Sequence, residues 1–526
     1  MVNYARHLRA EPTQREPLPG QVQNSAGGYS WQVDDWMRMR RFLILGTEGG
    51  SYYATERELA KSNAQAVIRC IQQDPERALN LIKEVSLKGK APKQTPVLFA
   101  LALMASDPNP EARKLALNAL PEIARTGSHL LQFVDMVTVL RGWGRALRKS
   151  VANWYLSKSI DELAYQLLKY QSRYNWSHRD VLRLAHPKPQ TEEYSKLFRY
   201  VIHKELSENL PPLVYDIVAL RTASSPEDVI SIIRRNKSIT WEMIPTMWLA
   251  YPEVWKELLP QLPLTALLRN LARMTANKTL VPGNEEVNLV ISKITDRDYL
   301  RKARIHPLSV LNALYTYSSG KGFRGRLQWN PIPQIVDALD KAFYLAFDNV
   351  ESTNLRWLLA LDISASMSWY SVAGMPALTP RVASAAMAMV TMAKEQDTIV
   401  LGFSHNLTPL NISHRCRLDV VLGYLQSLPM GGTDCALPIL WAQENNVDVD
   451  VIVIYTDNET WYGNIHPARA LQQYRQQVGK DVKFIVVGML ANEFSIADPN
   501  DPGMLDVVGF DPAAPQIMAD FALGLI

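Results

Sequence analysis

From residue 31 to about residue 350, apolar residues recur at helical spacing in one short segment after another. Residues 62–71 are alanine-rich, with the apolar positions on one face. Asp74-Pro75-Glu76 places an N-cap and an N1 proline ahead of Ala78, Leu79, Leu81 and Ile82. Ser225-Pro226-Glu227-Asp228 repeats the device ahead of Val229, Ile230, Ile232 and Ile233. Further helix starts are predicted at Pro110, Pro252, Pro263 and Pro331. Short helices joined by proline-marked turns predict stacked pairs of the HEAT or armadillo kind, a quasi-solenoid whose repeats show no fixed period.

Beyond residue 350 the pattern changes. Arg356-Trp-Leu-Leu-Ala-Leu-Asp362-Ile-Ser364-Ala-Ser366 opens as the continuous apolar run of a strand buried on both faces, then breaks into a carboxylate and two hydroxyls at alternate positions. Asp450-Val-Ile-Val-Ile-Tyr-Thr-Asp457 is a second such strand, and it too ends in a carboxylate. Helical patterns over 418–428 and 436–445 lie between them, the alternation of a doubly wound α/β domain. The expected organisation is multidomain: an amino-terminal arm over 1–28, an all-α helical-repeat domain over 29–350 and an α/β domain over 351–526.

Composition adds limits. The 526 residues are 47% hydrophobic and 21% charged, as in ordinary soluble globular proteins. Cys70, Cys416 and Cys435 are far apart with no C-x-x-C pairing, which argues against disulfides and structural zinc. The first 23 residues lack the apolar core of a signal peptide, and nothing elsewhere reaches the ~18 apolar residues of a membrane span. The reading is a cytoplasmic protein without a membrane partner. Net charge is +4, unevenly spread: residues 353–526 carry 9 Lys+Arg against 17 Asp+Glu, leaving 47 against 35 for residues 1–352. The helical part, at +12, reads as a polyanion binder, nucleic acid first. Basic surface also serves solubility in helical proteins.

Side chains alternate faces on an extended chain, so Asp362, Ser364 and Ser366 converge where their strand runs out. Gly431-Gly432-Thr433-Asp434 offers a further hydroxyl on a glycine-bearing loop, and Asp457 a further carboxylate at the same sheet edge. Taken alone, D-x-S-x-S also suits helix capping. The five oxygen donors Asp362, Ser364, Ser366, Thr433 and Asp457 together suit a hard divalent cation, Mg²⁺ first. Two-metal phosphodiester cleavage would need more carboxylates, so no catalytic constellation is read and the chain is not expected to be an enzyme.

Over residues 141–157, Leu147, Val151, Trp154 and Tyr155 form an apolar stripe, with Arg141, Arg145, Arg148 and Lys149 about a third of a turn away. Downstream, Lys169, Arg173, His178, Arg179, Arg183 and His186 are interleaved with Tyr170, Tyr174 and Trp176. Cations for phosphates and rings for unpaired bases suit RNA ends and loops. For single members the structural alternative is strong: Trp176 suits a core, and His178 a helix cap.

The carboxylate and hydroxyl set resembles the metal-ion-dependent adhesion site of von Willebrand A domains. By that resemblance Ser364, Ser366 and Thr433 bind the metal directly, Asp362 and Asp457 directly or through water, and a partner's carboxylate completes the shell. Longer motifs, Arg41 to Tyr53, Gly142 to Lys149, Trp176 to His186, Pro263 to Asn270, Arg304 to Pro307 and Thr456 to Thr460, resemble the Ro ribonucleoprotein autoantigen family, which joins a TROVE module to a von Willebrand A domain. The resemblance implies a monomeric ring of helical repeats closed by the α/β domain. It implies Y RNA on the basic outer surface, contacted by Lys169, Arg173 and His186, and single-stranded 3′ ends of misfolded or unprocessed noncoding RNA in a central hole. Arg179 stands where the family's motif has lysine. Bacterial members, which the plain amino terminus suits, use the Y RNA to tether a polynucleotide phosphorylase-like exoribonuclease. The competing class is a protein–protein scaffold whose metal site docks an acidic partner.

Overall fold

The computed structural model describes residues 13–47, 54–322, 326–347, 352–372, 375–395, 397–413 and 415–526. The first twelve residues of the amino-terminal arm, and residues 48–53 of the Arg41 to Tyr53 motif, lie outside the described residues. From residue 13 the arm lies against the α/β domain, Gln14 bonding Asp434 (2.7 Å) and the Ile465 carbonyl (2.9 Å). Gln21–Gln23 (β1) and Tyr29–Gln32 (β2) pair as an antiparallel hairpin, register Gln21 to Trp31.

The helical domain follows, and its starts obey the capping chemistry. Asp74 accepts from the Arg77 amide ahead of Pro75–Leu87, and Ser225 and Asp228 form a capping box ahead of Pro226–Arg235. Helices also begin at Pro110 and Pro252, while Pro263 is the N-cap of Leu264–Ala276. Pro331 corrects the expectation: the helix is Pro333–Leu345, with the second proline of Pro331-Ile332-Pro333 at its first position. The alanine-rich segment is one long helix, Glu56–Gln73, opened by a Thr55/Glu58 capping box. Thr95–Ser106, apolar on every side, is buried almost throughout among the first helices of the domain. After helix Ile160–Lys169 a small hairpin pairs Ser172–Arg173 (β3) with Trp176–Ser177 (β4).

In the α/β domain, Arg356–Asp362 (β5), Asp397–Phe403 (β6), Leu407–Pro409 (β7), Val451–Thr456 (β8), Lys483–Gly488 (β9) and Met504–Val508 (β11) form one sheet in the order β11-β9-β8-β5-β6-β7. All pairings are parallel except β6 with β7. Alternation sorts the strand residues: Leu359, Leu361, Val453 and Tyr455 join a core continuous with the helical domain, whereas Leu358, Ala360, Ile452 and Ile454 pack on the opposite face with Leu471 and Tyr474. From β5 the chain crosses first to β6 on one side and later to β8 on the other. A crevice therefore opens at the carboxyl ends of β5 and β8, the switch point where such sheets collect ligands.

The α/β domain holds both ends of the helical run. Phe494–Ser495 (β10) extends the amino-terminal hairpin as its third strand, with Leu18 and Trp31 packed in the sheet's outer core. Arg41, fully buried, bonds both oxygens of Asp506 (2.5 and 2.6 Å) and the carbonyls of Asn492 (3.1 Å) and Phe494 (2.8 Å). At the other end Arg417 pairs with Asp337, and the Leu418 amide donates to Asp340 (3.0 Å). His306 Nε2 meets the Lys90 carbonyl at 2.9 Å, joining late and early helices directly. Among the described residues no helix is long and apolar enough to cross a membrane.

Candidate nucleic-acid surface and cation site

At the switch point the proposed ligands stand on three loops that are bonded to one another. Asp362 ends β5, and its Oδ1 accepts the Ser364 amide (2.8 Å) while Oδ2 accepts the Thr456 hydroxyl (2.7 Å). Ser364 Oγ and Ser366 Oγ are 3.0 Å apart, and Ser366 also hydrogen-bonds Asp457, the residue after β8. The Ala365 amide donates to the Gly431 carbonyl (3.2 Å), and the Thr433 carbonyl accepts from Trp461 (3.1 Å) and Tyr462 (2.9 Å), so Thr433 is tied to both strand ends. All five residues are at most 3% exposed. Glycine is required at 432, where a Cβ would lie 2.8 Å from the Trp461 ring. Asp434, by contrast, turns away: its Oδ1 accepts from the Gln14 amide at 2.7 Å.

Burial pushes both Asp362 and Asp457 above the usual carboxylate range, and for Asp362 the neighbouring charge of Asp457 adds to the effect. Two buried acids raised by dehydration and mutual repulsion, with hydroxyls converging on them, are what a hard cation relieves. The donor set therefore fits Mg²⁺. Two supporting residues escaped the sequence reading. Thr456 orients Asp362, and buried Arg381 bonds the Ile363 carbonyl and the Leu425 carbonyl (3.2 Å), clamping the serine loop from below. The available signal was a lone arginine in the first turn of an alanine- and methionine-rich helix, Pro380–Lys394.

The basic elements are gathered on one region. Helix Arg145–Leu156 buries Leu147, Val151, Trp154 and Tyr155, as its stripe predicts, and leaves Arg145, Arg148 and Lys149 exposed. It starts later than expected. Arg141 closes the preceding helix, Gly127–Leu140, and Gly142 (φ 82°) turns the chain in between. Helix His178–Ala185 packs on both of these helices and exposes Arg179 and Arg183. It ends on exposed His186 in a left-handed conformation (φ 46°). Arg173 projects from the β3–β4 hairpin, whose turn residues Tyr174 and Asn175 both have positive φ (53° and 61°), the geometry of a tight two-residue turn. Among the described residues none of Arg145, Arg148, Arg173, Arg179 and Arg183 forms an ion pair.

Two candidates are placed differently. Lys169 lies under the surface with a side chain 10% exposed, its ammonium bonded to Tyr165 (3.0 Å), near the Tyr170 ring and 3.8 Å from Glu242. Burial works against its charge, but these partners prevail and its pKa is raised. His178 is a correction: it is 1% exposed, stacked on Trp154 and bonded through Nδ1 to the Tyr155 hydroxyl (2.9 Å). Burial drops it to about 3, so it is a neutral core residue and offers nothing to a polyanion here.

The Ro60 vWA domain family matches residues 356–522, and the TROVE domain family matches residues 22–213 and 232–316. The RNA-binding protein RO60 of Deinococcus radiodurans is 42% identical over 508 residues, spanning 96% of both chains. That of Caenorhabditis elegans is 34% identical over 601 residues, spanning 99% of this chain and 93% of that one. The crystal structure of the Deinococcus radiodurans RO (RSR) protein superposes with a TM-score of 0.70 at 42% identity, covering 94% of this chain and 100% of that chain.

Proposed function

The chain belongs to the Ro60 family of RNA-binding proteins, a TROVE domain joined to a von Willebrand A domain, and on that premise we propose that it binds small noncoding Y RNA on the outer face of its helical domain. The observation that carries this reading is the set of exposed arginines Arg145, Arg148, Arg173, Arg179 and Arg183 beside His186, none of them paired with a carboxylate among the described residues. Such a surface binds phosphates with strong salt dependence and little sequence preference. Single-stranded 3′ ends of misfolded or unprocessed RNA are the second ligand, held in a proposed central hole of the helical run, whose two ends both meet the α/β domain. An exoribonuclease tethered through the RNA supplies the degradation, and the working compartment is the cytoplasm.

In the α/β domain, Ser364, Ser366, Thr433, Asp362 and Asp457 hold Mg²⁺. The bound ion supplies a positive centre for an acidic group on a partner. Asp362 and Asp457 balance its charge, Thr456 fixes Asp362, and Arg381 fixes the serine loop. The rival scaffold reading uses the same site, so the RNA surface is the place to separate the two. The decisive experiment is filter binding of a structured RNA with a single-stranded 3′ tail at two salt concentrations. Sub-micromolar affinity that weakens with salt, and weakens further in Arg173→Glu/Arg179→Glu, supports RNA binding. Affinity no better than for heparin supports the scaffold.

A further inference from the structure

We infer that the seam where the two ends of the helical domain meet carries a phosphate-binding pocket, separate from both sites above. A cavity of about 120 Å³ is lined by Lys88 from the early helices, by Arg297, Arg301 and Arg304 from the late ones, and by Phe347 and Pro512. Four cations from distant parts of the chain thus converge on one concavity, and no carboxylate among the described residues lines it. Lys88, Arg301 and Arg304 are exposed and outside every ion pair among those residues. Of the acids on adjoining segments, Glu84 and Asp511 are already engaged by Lys90, at 2.9 Å and 3.2 Å.

The convergence is built by the backbone. Gly89 has φ 70°, and a Cβ there would touch the Arg304 Cβ at 3.4 Å; Arg304 is itself left-handed at φ 49°. Two unusual conformations therefore press Lys88 and Arg304 against one cavity. The accumulated positive field extends inward. Arg125 is held below its ordinary pKa first by burial and then by the charge of Arg304. A carboxylate would be satisfied by one guanidinium, whereas the guanidinium forks of Arg301 and Arg304 with the Lys88 ammonium suit the several oxygens of a phosphate. Leu300 and Phe347 supply an apolar wall that strengthens those contacts by excluding water. The phosphate can belong to a free small anion or to the 5′ end of an RNA.

The test is isothermal titration calorimetry of the full-length protein with inorganic pyrophosphate in low-salt chloride buffer. A one-to-one isotherm is expected, with binding at least tenfold weaker in Arg301→Gln/Arg304→Gln and unchanged in Arg179→Gln/Arg183→Gln. Pyrophosphate should also raise the wild-type melting temperature, but not that of the pocket variant. The absence of an isotherm, equal binding by the pocket variant, or loss in the Arg179→Gln/Arg183→Gln control overturns the proposal. Short RNAs with 5′-triphosphate or 5′-hydroxyl ends then assign the source: a triphosphate preference lost in the pocket variant marks an RNA end, and no preference marks the free anion. The outcome at this seam is independent of whether the arginine surface binds RNA.

Discussion

At the scale of single residues, the burial of His178 has a consequence for pH. Its folded pKa, about 3, lies below the unfolded value of about 6.5, so below pH 6.5 the unfolded chain binds a proton that the folded chain refuses. The stability this histidine contributes is full above pH 6.5 and falls with pH down to the folded value. Between pH 7 and pH 5 the loss is about 2 kcal/mol. His178→Gln should therefore melt at a lower temperature at pH 7 yet show a flatter decline towards pH 5, measured by paired thermal scans. An unchanged slope would mean that the ring is solvated and could meet RNA after all. A second residue-scale prediction concerns the cation site. On the proposed ligation only the folded arrangement would bind Mg²⁺, so millimolar Mg²⁺ should raise the melting temperature and excess EDTA reverse it. Asp362→Asn should abolish that response, because one of the two charges that balance the ion is gone; a full response in the variant would place the metal elsewhere.

At the scale of elements, the two central strands β5 and β8 were legible because they are apolar on both faces and end abruptly in acids. Residues 356–362 and 451–456 are strands, and the helices Leu418–Gln426 and Leu437–Glu444 fall inside the expected spans. The prolines announced helix starts because an N1 proline costs no backbone hydrogen bond. Elements whose signal depends on distant partners were not legible. β1 and β2 are three and four residues long and have no pattern of their own; they exist because β10, more than 450 residues later, offers an edge. The β3–β4 hairpin turns on Tyr174-Asn175 with no glycine to mark it. Of the five proposed cation ligands, alternation pointed to Asp362, Ser364 and Ser366, a strand end to Asp457 and a glycine-bearing loop to Thr433, while Thr456 and Arg381 needed the fold. The hairpin makes a prediction of its own. Asn24 donates to the Thr460 carbonyl at 2.7 Å and Glu459 accepts the Ser25 amide at 2.9 Å, beside the acid loop of the cation site. Deleting residues 1–32 should expose that loop to limited proteolysis and weaken Mg²⁺ stabilisation. Equal protection of the truncated chain would show that the sheet alone holds the loop.

On the scale of the whole molecule, Arg41 ties the domains together: a fully buried guanidinium bonded to a carboxylate and two carbonyls across the junction. Arg41→Met leaves Asp506 partly buried without its partner, a loss of about 3–5 kcal/mol. The two domains should then melt in separate calorimetric steps instead of one. The division of charge, +12 over residues 1–352 and −8 over the remainder, sets the last expectation. An RNA drawn to the helical side is repelled by the acidic domain, so the exposed arginines decide both affinity and orientation. Each phosphate they neutralise releases condensed cations and adds about 0.7 to 0.9 to the slope of log affinity against log salt. Arg173→Gln/Arg179→Gln/Arg183→Gln should therefore weaken binding and lower that slope by about 2 to 3, because three phosphate contacts disappear. Replacing Lys169, whose ammonium is already held by Tyr165, should change the slope by less than one contact. Weaker binding at an unaltered slope in the triple variant would mean that these arginines shape the surface without touching phosphate.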